Sequence, residues 1–230
     1  MLVKRSQMMR FMITGLVMLL QGTLGWALYF DFEDDAQLKQ WDTQGTWKIE
    51  KDNDRGSKVL AGGGANEVIA LVGEVNWTDY TVEFEASGQT DEIAIAFRAQ
   101  DGNNFVSFMV APSLNLSEWF QKLGGQFDEG IAPKGDKLGI NMKEWHEYKL
   151  VVEGDKASIF ADDKEASKVL QLNKLPDVFK NGRIGFRQWA DSAHYDNVLI
   201  SGPGIPRTPG EPRAIAPAAK LATTWAALKR

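Results

Sequence analysis

"GFRQWADSAHYDNVLISG" spans residues 185–202 and finishes as a strand at Val198, Leu199 and Ile200. Counting back by twos from Ile200 sets Val198, Asp196 and His194 on one face. If that face looks inward, Asp196 is a carboxylate at the rim of a core. A buried carboxylate needs a partner, or its pKa rises until it is neutral. Backbone amides or a basic side chain such as Arg183 would supply one. Other reactive side chains are sparse. The histidines are His146 and His194, cysteine is absent and no HExxH spacing occurs, so zinc chemistry is poorly supported. His146, in "EWHEYKL", reads as a hydrogen-bonding residue at a strand start. No serine sits in a nucleophile-elbow pattern. "AGGGAN", residues 61–66, lacks phosphate-loop spacing and reads as a turn.

The elements that must position these residues are strands. Alternation with period two runs from "YFDFE" at residue 29 to Ser201. "DYTVEFEAS" puts Tyr80, Val82, Phe84 and Ala86 inside, and Thr81, Glu83 and Glu85 outside. "EIAIAFRAQ" puts Ile93, Ile95 and Phe97 inside, with Arg98 as the next outward residue. "NFVSFMVAP", residues 104–112, is apolar on both faces and reads as a central strand. "HEYKLVVEG" and "KASIFADDK" meet at Gly154-Asp155, a hairpin signal. The nearest helical candidate, residues 167–180, is interrupted by Pro176. About ten short strands with turn signals between them predict an all-β fold of two stacked antiparallel sheets.

The two ends differ from this body. Lys4, Arg5 and Arg10 precede the apolar run 11–20, and Gly25-Trp26-Ala27 offers small residues where a signal peptidase reads. Residues 1–27 therefore read as a secretory signal; the alternative, an uncleaved anchor, has a run short for a span. The chain carries 26 basic and 31 acidic residues; losing those three basic ones leaves 23 against 31, a net charge of −8. That disfavours nucleic acid and anionic membranes as partners. An exported, cysteine-free domain over 28–202 must be held by its core, a metal, or both. Residues 203–219 hold five of the eight prolines, beginning at Pro203, and read as a linker. In 220–230, Leu221, Trp225 and Leu228 share one face of a short helix, which reads either as a frayed tail or as a docking segment for a surface partner.

"FDFEDDAQLKQW", "WTDYTVEFEA", "IAFRAQDGNNFVSFMV", "EWHEYKLVVEGDKASIFADDK" and "GRIGFRQWADSAHYDNVLI" follow one another in an order that resembles concanavalin-A-like, laminin-G-like jelly rolls. Two relatives look similar: the carbohydrate-binding module of bacterial levanases, and the bacterial 3-keto-disaccharide hydrolase domain. The resemblance covers residues 29–202 and implies a two-sheet antiparallel jelly-roll sandwich. It also implies a structural calcium between first and last strands, held here by Glu33 of "FEDD" and Asp196 of "DNV". Calcium takes six to eight oxygens, which two carboxylates with turn carbonyls and water can supply. Jelly-roll glucanases carry Glu-x-Asp-x-x-Glu on one strand; "VEFEAS" has Glu83 and Glu85 but neither the central Asp nor the third acid. Hydrolase-domain relatives tend to begin with W-x-x-L-F-(D/N)-G, whereas this chain has "YFDFEDD".

Sugars offer C–H faces to aromatic rings and hydroxyls to charged or amide groups. Trp47 and Trp145 have core periodicity, and Trp41 and Trp77 read as packing residues near turns. Trp119 and Trp189 are the spare rings, and with Arg98, Arg187 and Gln188 they are expected to line a binding groove. The expectation is an exported, non-catalytic glycan-binding or adhesive module. The alternative is an extracellular 3-keto-disaccharide hydrolase or lyase.

Overall fold

The computed structural model describes residues 27–64, 66–90, 92–112, 116–135, 138–190 and 192–206. The expected signal segment up to residue 26, most of the linker and the C-terminal segment lie outside the described residues.

Two antiparallel sheets form a jelly-roll sandwich, as the alternation predicts. The seven-stranded sheet contains β2 (Asp42–Gln44), β5 (Glu67–Val72), β7 (Ile93–Asp101), β8 (Asn104–Ala111), β9 (Leu116–Leu123), β10 (Gln126–Asp128) and β15 (Arg183–Trp189). Its order is β10-β9-β8-β7-β15-β5-β2, so the doubly apolar β8 is interior. The nine-stranded sheet contains β1 (Ala27–Phe30), β3 (Trp47–Lys51), β4 (Lys58–Gly63), β6 (Tyr80–Gly88), β11 (His146–Glu153), β12 (Lys156–Ala161), β13 (Lys164–Glu165), β14 (Leu170–Gln171) and β16 (Ser192–Ser201). Its path is β13-β12-β11-β6-β16-β4-β3, with β1 on β16 and β14 on β12. The stretch around Pro176 forms two 3-10 turns, Leu172–Lys174 and Asp177–Phe179.

The core lies between the sheets and is aromatic at its centre. Phe186 of β15 stacks on Tyr195 of β16 with centroids 3.9 Å apart, and Phe84 and Trp41 close on Phe186 from two further sides. Such ring pairs add to the free energy of burying their area. Ile205 is buried in the same core, so packing extends past residue 202.

β16 does not keep a period of two. Asn197 has φ 50, and the register against β6 shifts between Asp196 and Leu199. This bulge inserts one residue and turns the following side chains over. Val198 and Ile200 point inward, but Asp196 and His194 lie on the outer face opposite Glu85 and Ser87. Counting by twos therefore placed Asp196 on the wrong face. At the same point β16 exchanges partners, pairing with β1 below the bulge and β4 above it.

Candidate functional site

The outer face of the seven-stranded sheet is not a solvated face. Phe105 and Met109 on β8, Ala94 and Ala96 on β7, Phe120 on β9 and Ile69 on β5 are all buried there. Lys122 of β9 pairs with Glu67 of β5, four strands away. Phe127 of β10 meets Trp189 of β15 edge to face at 5.7 Å. Four strand steps span about 19 Å in a flat sheet, too far for one Lys–Glu pair. The sheet is therefore concave, and side chains converge across a trough.

Charge lies at the bottom of this trough. Arg187, 5% exposed, sends Nη1 to Glu92 at 2.6 Å and Nε to Glu67 at 3.2 Å. Its guanidinium sits 5.3–5.4 Å from the ring centres of Phe120, Phe127 and Trp189. Lys122 Nζ also donates to the Gly102 carbonyl at 3.2 Å. Glu118, buried beside Met109, takes Lys134 at 3.0 Å. Trp189 is 49% exposed and forms the rim with Phe127. The result is guanidinium, ammonium and carboxylate groups under an aromatic edge. It can stack an apolar face and hydrogen-bond to several hydroxyls at once.

Of the five residues expected in a groove, the trough contains Arg187 and Trp189. The other three are corrected by the structure. Trp119 is 0% exposed on the inner face, against Phe108 at 4.9 Å and Phe97 at 5.7 Å, and its Nε1 donates to the Lys168 carbonyl. Gln188 also points inward and donates to the Tyr195 hydroxyl at 2.5 Å. Arg98 sits at a bulge in β7 with φ 51, and its side chain turns toward the Gly154 carbonyl. Sequence reasoning missed Glu67, Glu92, Glu118, Lys122 and Phe127. One signal was available: Glu118, Phe120 and Lys122 alternate on one face of β9, beside a β8 whose second apolar face needs cover.

The pair expected to hold calcium is arranged differently. Asp196, 3% exposed, accepts from Arg55 Nε at 2.8 Å and from the Asn197 amide at 2.8 Å. Arg55 also pairs with Glu85 and lies 4.4 Å from the Trp145 ring centre. Glu33 instead accepts from the Lys58 amide at 3.2 Å. Among the described residues no three His, Asp or Glu side chains group as a metal would need. A guanidinium stands between Glu85 and Asp196, so these donors do not fit calcium as they are arranged. Burial pushes Asp196 up to about 6, against the pull of Arg55 and the Asn197 amide, with Glu85 and Glu33 adding to the rise. His194 bridges Asp52 at 2.8 Å and Glu50 at 3.3 Å, and His146 bridges Asp162 and the Asn141 carbonyl.

Residues 25–201 match the family described as the 3-keto-alpha-glucoside-1,2-lyase-like domain. Among solved structures, the carbohydrate-binding module CBM66 from Bacillus subtilis is similar at 22% identity and TM-score 0.58, over 71% of this chain and 96% of that one. A Bacillus subtilis protein of unknown function with a galectin-like fold is similar at 14% identity and TM-score 0.57, over 77% and 96%. Domain 4 of an extracellular arabinanase from Geobacillus stearothermophilus, in complex with arabinotriose, is similar at 12% identity and TM-score 0.51, over 77% and 92%. None of the curated proteins matches this sequence.

Proposed function

We propose, on the premise that this chain belongs to the 3-keto-alpha-glucoside-1,2-lyase-like domain family, that it is an exported, non-catalytic module that binds a saccharide in the trough of the seven-stranded sheet. One observation carries the reading: Arg187, Glu67 and Glu92 are held together on the outside of a sheet, below the exposed ring of Trp189. Burying ions costs several kcal/mol each unless they are well paired, and apolar residues would cover β8 more cheaply. A fixed array of donors and acceptors beside an aromatic ring is what a sugar requires. The fold likeness to a carbohydrate-binding module and to an arabinotriose-bound domain supports the same class of ligand. Export rests on the basic and apolar run before Ala27.

A second reading follows from the family description, elimination across C1 and C2 of a 3-keto glucoside. A base takes the C2 proton, acidified by the neighbouring carbonyl. Its electrons form the C1–C2 double bond, and the C1–O bond breaks as the leaving oxygen gains a proton. Glu67 or Glu92 would be the base, and Arg187 and Lys122 would steady the carbonyl oxygen. Both carboxylates already face cations, which weakens them as bases. That favours binding over elimination.

The test incubates the purified chain with polysaccharides and 3-keto disaccharides, then analyses the bound fraction and the supernatant by mass spectrometry. Retention without new products is expected, and Trp189→Ala should lose it by about tenfold or more. New sugar products would replace the binding reading with the lyase.

A further inference from the structure

The outer face of the nine-stranded sheet carries a separate recess, on the opposite side of the sandwich from the trough. It measures about 250 Å3 and is lined by Asp52, Asp54, Ser87, Gln89, Lys143 and Trp145, with Gly88 at its floor. We propose that it is a second saccharide subsite, sized for a single sugar ring.

Its walls are tied together before any ligand arrives. The Gly88 amide donates to the Met142 carbonyl at 2.7 Å, and Ser87 Oγ to the Lys143 carbonyl at 3.2 Å. These bonds clamp the end of β6 to the segment bearing Lys143 and Trp145. On the other side, Asp52 accepts from the Asp54 and Arg55 amides at 2.9 Å each and from His194 at 2.8 Å. Arg55 holds the Trp145 ring in place from 4.4 Å. A preformed site of this kind spends little binding energy on ordering itself.

The lining states the ligand's chemistry. Trp145, expected in the core from its periodicity, is instead half-buried and contributes an apolar wall. The Asp54 carboxylate and the Lys143 ammonium have no partner among the described residues. One is an acceptor, the other a donor, and Gln89 offers both. These two charges oppose each other, and the Asp52 carboxylate is already engaged by His194 and two backbone amides, so the free groups favour neither an anion nor a cation. A neutral ligand with several hydroxyls and one apolar face satisfies all of these groups. The volume lies below the roughly 300–1,000 Å3 of drug-sized sites, which suits one ring rather than an oligosaccharide. With the trough on the opposite face, the domain would be bivalent and could bridge two glycan chains, gaining avidity without new contacts.

Isothermal titration of the full chain with monosaccharides and short oligosaccharides tests this. Two sites per chain are expected. Trp189→Ala should leave one, and Asp54→Ala and Lys143→Ala should each weaken the other by about tenfold. Both of the latter positions are exposed, so the fold should persist, which circular dichroism checks. A single site that Trp189→Ala removes, and that Asp54→Ala and Lys143→Ala leave intact, overturns the recess and keeps the trough. A single site sensitive only to Asp54→Ala and Lys143→Ala overturns the trough and keeps the recess. Absence of binding by any sugar overturns both.

Discussion

Asp196 is pulled in two directions. Burial raises its pKa to about 6 from 3.8, while Arg55 at 2.8 Å favours the ion. Because the folded pKa lies above the unfolded one, the folded state holds the proton more tightly. Ionisation therefore costs stability as the pH rises from about 4 through about 6, and the full cost is present above that. Wild type should lose stability relative to Asp196→Asn over this window, measured by urea denaturation at pH 4 and pH 7. Arg55→Ala should cost about 2 kcal/mol at pH 7 by stranding Asp196, and less at pH 5, where a neutral acid needs no cation. Two tryptophans separate a packed ring from an exposed one. Trp119→Ala opens a cavity in the core and should cost about 3–5 kcal/mol, whereas Trp189→Ala at the rim should cost about 1 kcal/mol or less. Thermal melts of the two variants check this. Sequence alone could not distinguish these rings, because Trp119 follows a turn and only its pairing with Phe108 across β8 and β9 places it inside.

At the scale of elements, the strands were legible and their irregularities were not. Alternation marked β6, β7, β11 and β12 correctly, because an inward apolar face repeats every second residue, and an unbroken apolar run marked β8. Two bulges broke the count. One at Asn197 sent Asp196 and His194 outward, and one near Arg98 took that side chain out of the trough. Asn197 suits its place: it tolerates φ 50, its Nδ2 donates to Glu85 at 2.7 Å, and its Oδ1 accepts from the Tyr29 hydroxyl. Asn197→Gly keeps the backbone and loses only these bonds, while Asn197→Val loses both the bonds and the conformation. Denaturation should show the valine variant less stable than the glycine one by at least about 1 kcal/mol.

At the scale of the molecule, the chain needs a latch where β1 and β4 meet on β16, and cysteine is absent. Arg55, Glu85, Asp196 and Asn197 form that latch from side chains. Melting temperatures in excess EDTA and in millimolar calcium are therefore expected to coincide; a lower one in EDTA would mean that a divalent ion shares the work. Sequence by itself determined the all-β class and the two-sheet sandwich, because these follow from local periodicity. Tertiary structure decided which cation meets Asp196, which rings are free and where carboxylates gather. Those depend on strand order, which brings residues 67, 92, 122 and 187 into one trough, and on single-residue bulges that reverse a face without leaving any trace in composition.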